Sequence, residues 1–428
     1  MAEDVVDLCS ALLRFDTTNR GRGDSAGERE AAEFVAGHLE DLGITATLLE
    51  PAPRRTNVLA RVPGEDPSLP ALLVQAHLDV VPADPTEWSV PPFSGVERDG
   101  YLWGRGAVDM KDMVAMVLAV LGTWSREGRG PRRDVVLAFV ADEEDQGVLG
   151  ARWLVEHHAD FFAGCAAAIS ESGGYSYRFG DRRIYPVATA ERGTYHLRLT
   201  ARGRAGHGSR RNDDNAVVKL IGALGRLAAH RHPVRLSPTV RAFLERTGAA
   251  LGVEVDLDDV DGTLARLGPV GALAESTVRN STTPTVLRAG YKVNVIPGTA
   301  SAEVDVRALP GTAEELMATV DSLIGPDVVR EQLEAQPPVQ APIDSPWFDA
   351  MAAALRAEDP EAVVVPYCMG GGTDAKAFSA LGIDCYGFSP LLLPPGYDYR
   401  AMAHGVDERV PVEGLRFGTR VLDRFLSS

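Results

Sequence analysis

Cysteine is scarce in this 428-residue chain: Cys9, Cys165, Cys368 and Cys385 stand far apart, with no CxxC or CxxxC pair among them. That scarcity speaks against a disulfide framework and against a thiolate zinc site, and it suits a reducing cytoplasm. The N-terminal stretch MAEDVVDLCSALLRFDTTN has neither a basic start nor a long apolar run. It reads as an amphipathic helix ending before Asp16 and Thr17, so neither export nor a membrane partner is expected. Positive charge is in deficit: 43 Lys and Arg against 60 Asp and Glu leave a net charge of -17, which disfavours nucleic acid as a partner. Internal repeats and low-complexity tracts are absent from the sequence, and the Gly-rich GGGTDAKAF lacks the Gly-Lys-Ser/Thr ending of a phosphate loop.

What is present is length and alternation. A chain of 428 residues exceeds what one core usually serves, so two domains are expected. In the first half, apolar strand-like runs (ALLVQAHLDV, DVVLAFVADEE, CAAAISES) alternate with helical segments (AAEFVAGHLEDLG, VDMKDMVAMVLAVLGTWS, GARWLVEHH). That order predicts an α/β fold with a mostly parallel sheet and helices on both faces. From about Gly193 the pattern changes to β-α-β-β-α-β, the order of a ferredoxin-like α+β layer. Between the first helix of that layer and its second strand, about 231–279 is too long for a plain connection and reads as an insertion. After AQPPVQAPIDSP the first pattern returns, so one domain (1–191 and 339–428) is interrupted by another (192–338).

Strands of the outer domain end in polar groups: His77 and Asp79, then Asp142 to Asp145, then Glu171, and finally the segment leading to His404. Ligands of open α/β sheets bind beyond the carboxyl ends of the strands, so residues distant in sequence can converge there. Strand periodicity puts Asp79 on the face of His77, where its carboxylate could orient the imidazole of a metal ligand. Taken singly, each feature has a plainer reading. His-x-Asp can be an ordinary strand end, ADEED a solvated loop, and Asp109 in LWGRGAVDMKD a helix N-cap. Two histidines and several carboxylates without cysteine suit zinc or cobalt better than calcium.

Eight ordered segments, HLDVVP, WGRGAVDMKD, DEEDQGVLGA, SESGG, GRAGHGS, KVNVIPGTASAEVDVRALPG, GGGTDAKAF and MAHGVDERVPVEGL, resemble the M20 family of metallopeptidases, the group of carboxypeptidase G2, aminoacylase-1 and succinyl-diaminopimelate desuccinylase. The resemblance implies a zinc-exopeptidase-like fold and two zinc ions, with cobalt or manganese as possible substitutes. It places one ion on His77 and Glu171, the second on Glu144 and His404, and Asp109 between them. It also implies Asp79 orienting His77, Glu143 as general base, a cis peptide between Asp109 and Met110, and a lid domain that mediates a homodimer. The lid residues His207, Asn294 and Arg307 have donors suited to a developing oxyanion or a substrate carboxylate, and the amides of Gly371, Gly372 and Thr373 offer a rest for a carboxylate. Arg307 reads equally as a strand residue paired with a surface acid.

The indoleacetyl-amino acid hydrolases carry a Cys- and His-rich metal motif, and the carbamoylase and allantoate branch has His where this chain has Glu171; neither pattern is present. The segment YGFSPLLLPPGYDYRAMAHGVDERV resembles the aminoacylase and carboxypeptidase S-like branches. The expected reaction is hydrolysis of an amide beside a terminal carboxylate, in a dipeptide, a C-terminal residue or an N-acyl amino acid. The alternatives are a biosynthetic deacylase such as succinyl-diaminopimelate desuccinylase and, from another class, a metal-binding pseudoenzyme.

Overall fold

A computed structural model describes residues 4–428; the first three residues of the N-terminal amphipathic segment lie outside the described residues. The chain divides into two compact units. One comprises the residues up to Thr189 with Ala341–Tyr367 and Thr373–Ser428, and the other Ala190–Gln340 with Cys368–Gly372. The short return at Cys368–Gly372 is absent from the sequence reading, because five residues carry no periodicity from which to read it.

The first unit is built on a mixed sheet with a parallel centre. Val135–Val140, Ala71–His77, Cys165–Ser170 and Asp384–Gly387 are parallel neighbours in that order. Antiparallel strands Arg55–Val62 and Ala46–Ala52 extend it on one side. All seven residues of Ala71–His77 and all six of Val135–Val140 are buried. This is why neither alternates apolar with polar residues, Val135–Val140 being wholly apolar and Ala71–His77 broken only by Gln75 before its terminal His77: strands covered on both faces need no polar alternation.

Leu72, Val74, Val135, Leu137 and Phe139 face a core shared with helices Val5–Leu13, Lys111–Glu127, Pro346–Glu358 and Val412–Leu426. Their alternates Leu73, Val136 and Ala138 are equally buried on the other face. Helix Lys111–Glu127 is apolar nearly all round because it lies inside the core, and Gly128 closes it in the left-handed conformation (φ 64) that a side chain would strain. Among the described residues no helix is long and apolar enough to cross a membrane, and all four cysteines are free.

The second unit carries a four-stranded antiparallel sheet, in spatial order Ser281–Ala289, Thr299–Ala308, Gly193–Arg202, Val328–Gln336. Leu197, Leu199, Val304 and Val306 from one face pack with Leu220 and Leu227 of helix Ala216–Ala229 and Leu316 and Val320 of helix Ala313–Ile324. Chain order and sheet order are those of a ferredoxin-like layer. The stretch 231–279 folds into helices Pro238–Leu251 and Val260–Leu267. Both starts are capped: Ser237 accepts the Val240 amide ahead of a proline in the first turn, and Asp259 accepts the Gly262 amide.

Candidate metal centre

Three adjacent parallel strands of the first unit end side by side. His77 is the last residue of its strand and pairs with Val140, after which the neighbouring chain runs into Asp142 to Asp145; Cys165–Ser170 ends one residue before Glu171. Asp109 arrives from the Gly-rich turn before helix Lys111–Glu127. The residue capping that helix is Met110, so Asp109 is not its N-cap, and the Asp109-Met110 peptide is cis. His404 follows the short helix Tyr399–Met402 at a positive φ of 60.

Asp109 stands at the centre. Its Oδ1 is 3.1 Å from His77 Nε2 and its Oδ2 is 3.1 Å from His404 Nε2. Glu171 Oε1 lies 4.0 Å from His77 Nε2, and Glu144 Oε1 lies 3.2 Å from His404 Nε2. Proximity alone forms the sets His77, Asp109, Glu144 and His77, Glu143, Glu171, each within 4.8 Å. It gathers the residues without assigning them to ions.

Their chemistry fits divalent cations. The buried Glu144 Oε1 makes no hydrogen bond even though His404 Nε2 is so near, as when two groups point at a common third point rather than at each other. Burial drives the Glu143, Glu144 and Glu171 carboxyls above the ordinary carboxylate range. Glu171 adds to the rise at Glu143, and Asp109 to that at Glu144 and Glu171. Asp109 is held below that range, since His404 and His77 outweigh its burial. The neighbouring carboxylates of Asp109 and Glu144 push His404 up to about 10. Such a concentration of acids is what a doubly charged ion neutralises, and the mixed nitrogen and oxygen donors suit zinc or its neighbours.

The link from Asp79 to His77 differs from the expected one. His77 Nδ1 donates to the main-chain carbonyl of Asp79 at 2.9 Å, which leaves the Nε2 lone pair for the cluster. The Asp79 carboxylate is 3.7 Å from the ring. It accepts instead the amides of Glu143 (3.1 Å) and Glu144 (3.2 Å) and the side chain of Asn19 (2.9 Å). The strand stops at His77, so the periodicity that would put both side chains on one face does not extend to residue 79.

Around that turn lies a buried network that the motifs do not announce. Asn19 also donates to Asp142, whose carboxylate takes the Leu149 amide at 2.9 Å and pairs with Arg55 at 2.8 Å. Arg55 in turn pairs with Glu28 at 3.0 Å. The residue types alone gave no signal, because Asn19 and Arg55 sit in loop-like and strand-like text far from any acidic run. In GGGTDAKAF, Asp374 accepts from Gln75, two residues before His77, while Thr373 caps the Ala375 amide; the helix that follows, Ala375–Ser379, is only five residues long.

The remaining candidates belong to the second unit. His207 and Asn294 are neighbours on the Gly206–His207 and Val295–Ile296 pairing, where the Gly208 amide donates to the Asn294 carbonyl. His207 is exposed, and its Nδ1 accepts the Ser209 amide at 3.2 Å, which leaves the proton to Nε2. Arg307 makes its two-pronged contact with Asp305 (2.8 and 3.2 Å) and a third with Thr194 (2.8 Å), the surface pairing that was its plainer reading. Gly371 and Gly372 lie in the short return segment of this unit.

Residues 73–428 match the model of "Peptidase family M20/M25/M40". The N-fatty-acyl-amino acid synthase/hydrolase PM20D1 of Homo sapiens is 30% identical over 370 residues, 83% of this chain and 73% of that protein. Aminoacylase-1 of Pongo abelii is 29% identical over 409 residues, 93% and 90% of the two chains. Among solved structures, the M20 family metallo-carboxypeptidase Sso-CP2 of Sulfolobus solfataricus superposes with a TM-score of 0.74 at 18% identity, covering 99% of each chain. A family match over most of the chain, joined to acids and histidines gathered at the strand ends, leaves one conclusion: the chain belongs to peptidase family M20/M25/M40 and is an amide-bond hydrolase.

Proposed function

We propose that the chain is a two-zinc hydrolase that cuts an amide beside a terminal carboxylate, with N-acyl amino acids as the first substrates to test and dipeptides or C-terminal residues next. The relatives named as N-fatty-acyl-amino acid synthase/hydrolase and aminoacylase-1 support that order. The observation that carries the reading is Asp109, with one carboxylate oxygen 3.1 Å from each of two histidine nitrogens. His77 and Glu171 would hold one ion, Glu144 and His404 the other, and Asp109 both.

Zinc bound there supplies Lewis acidity toward the scissile carbonyl and lowers the pKa of water. Glu143 takes the proton of the attacking water and returns it to the leaving nitrogen, a task suited to a half-buried carboxyl raised by burial and by the charge of Glu171. Asp79 holds the Glu143 amide, which fixes where that carboxyl can reach. His207, with its proton on Nε2, is the donor for the developing oxyanion. Arg307 and Asn294, with the amides of Gly371, Gly372 and Thr373, serve the substrate carboxylate, Arg307 by exchanging its Asp305 contact for the substrate. Residues 192–338 form the lid and the surface of a homodimer, and the free cysteines suit a cytoplasmic setting.

Metal analysis of the purified protein, followed by a ninhydrin screen of N-acyl amino acids and dipeptides, tests the reading. The expected result is two zinc ions per chain and free amine from N-acyl amino acids. Two ions without amine release from any member of the screen would remove the substrate class, and absence of metal would remove the mechanism. A biosynthetic deacylase would show itself by acting on one acyl group alone.

A further inference from the structure

We infer that the buried ion pair between Arg105 and Glu408 is a positioning device for the two loops that carry Asp109 and His404, and that the ion His404 would share depends on it most. The inference rests on the two-ion reading above. Glu408 is fully buried and Arg105 has 4% of its side chain exposed. Arg105 Nη1 donates to Glu408 Oε2 at 2.6 Å, and the other oxygen, Oε1, accepts the amide of Val108, the residue before Asp109, at 2.8 Å. The Glu408 carbonyl takes the Gly104 amide at 3.0 Å. Arg105 Nη2 donates to the carbonyls of His404 and Pro82, both at 3.3 Å. Val108, whose amide Glu408 holds, is also held at its carbonyl, in the peptide that joins it to Asp109, by the Tyr399 hydroxyl at 3.0 Å. The Trp88 ring lies 5.2 Å from the guanidinium.

One ion pair therefore grips main-chain atoms beside one candidate ligand, Asp109, and at another, His404, brought from distant parts of the chain. The plain reading is a stabilising salt bridge. Removing both charges from water costs about as much as their attraction returns, so a buried pair is weak evidence of stability by itself. What the pair does supply is direction: every remaining hydrogen-bonding contact named above goes to main chain at Gly104 to Val108, at Pro82, or at His404. His404 has most need of it. Its side chain is 55% exposed, whereas Asp109 is 15% exposed and His77 is fully buried, so packing does little to fix His404 and the backbone must.

Glu408→Gln keeps shape and the acceptor for the Val108 amide while removing the charge; Arg105→Lys keeps the charge and loses the fork. Wild-type and variant holoproteins are equilibrated with rising EDTA, the zinc retained per chain is counted, and cobalt-loaded samples are read by visible absorption for one ion or two. Thermal unfolding of the metal-free proteins is recorded alongside. Both variants should release one ion at about 10- to 100-fold lower EDTA than wild type, with the other shifting clearly less and the metal-free unfolding temperatures close to wild type. Release of both ions as in wild type overturns the inference. So does an equal shift of both, which marks a general loss of stability. If Glu408→Gln does not fold, Arg105→Lys decides alone. A wild-type protein that holds fewer than two ions overturns the two-ion reading, and this inference with it.

Discussion

The carboxylate of Asp79 accepts the main-chain amide of Glu143 at 3.1 Å and that of Glu144 at 3.2 Å. A residue at the end of one strand thus sets the direction of a turn that follows the next strand, and that turn carries both the proposed base and a proposed ligand. Asp79→Ala leaves both amides without their acceptor and should lower kcat by about 10- to 100-fold, the usual scale for groups that orient a site from behind. Asp79→Asn, which can accept only one of the two amides, should fall between. Near-normal turnover of Asp79→Ala, with metal content measured in the same sample, would show that the turn holds its direction without this carboxylate.

Glu143 and Glu144 are adjacent, acidic and both raised in pKa by burial, yet the proposed mechanism gives them different work. Glu143→Gln should keep both metals and lose turnover by about 100-fold or more, since it removes a proton carrier. Glu144→Gln should lose metal. Proximity groups Glu143 with His77 and Glu171 as possible ligands, so elemental analysis of the two variants separates base from ligand. Loss of an ion from Glu143→Gln would move Glu143 into the ligand set.

Behind the turn, Arg55 is the buried countercharge to Asp142 and Glu28, with 6% of its side chain exposed against 4% and 0%. Burial and the Asp79 charge raise Glu28 to about 8 even beside this arginine. Arg55→Met removes one partner and leaves acids buried without it, which typically costs about 3–5 kcal/mol. Denaturant unfolding of the two proteins measures the difference, and a cost below about 1 kcal/mol would mean the network is not closed to water.

The sequence makes the candidate centre legible through strand ends: His77, the Asp142 to Asp145 run and Glu171 each follow an apolar run, and parallel strands place such ends together. The same period-two reasoning fails one step later at Asp79, where the strand has already stopped. Arg55, Asn19, Arg105 and Glu408 stay hidden for a different reason. Each acts through main-chain or carboxylate partners far away in sequence, and no local spacing encodes such a pairing. In the second unit, alternation in TYHLRLTARG and ASAEVDVRAL gives the sheet, since one face packs on helices and the other does not. Length marks 231–279 as an insertion without revealing its two helices, although Ser237-Pro238 and Gly252 are helix start and stop signals.

Away from the centre, the Asp359 carboxylate pairs with Arg183 and accepts from the Tyr185 hydroxyl at 2.8 Å. Burial alone would raise Asp359, but these two hydrogen bonds outweigh it and hold the carboxyl below its ordinary value. A carboxylate depressed in the folded state adds stability in full above its unfolded pKa of about 4. That stability is lost as pH falls through the lower folded value. Asp359→Asn should therefore be less stable than wild type at neutral pH, with the gap closing below about pH 4. Unfolding curves from pH 7 down to pH 3 check it, and a gap that does not change with pH would assign the effect to packing.

His207 belongs to the unit proposed as lid and dimer surface, and the Ser209 amide on Nδ1 leaves Nε2 as the donor. We predict that this donor serves the active site of the partner subunit. His207→Ala and Glu143→Ala are prepared separately, each nearly inactive, and then mixed under conditions that let subunits exchange. In a mixed dimer one site combines an intact Glu143 with the intact His207 of the other chain, while the second site lacks both. With random exchange half of the dimers are mixed and half of their sites work, so about a quarter of wild-type activity should return. Verified exchange without recovery would place His207 in the site of its own chain or outside the reaction.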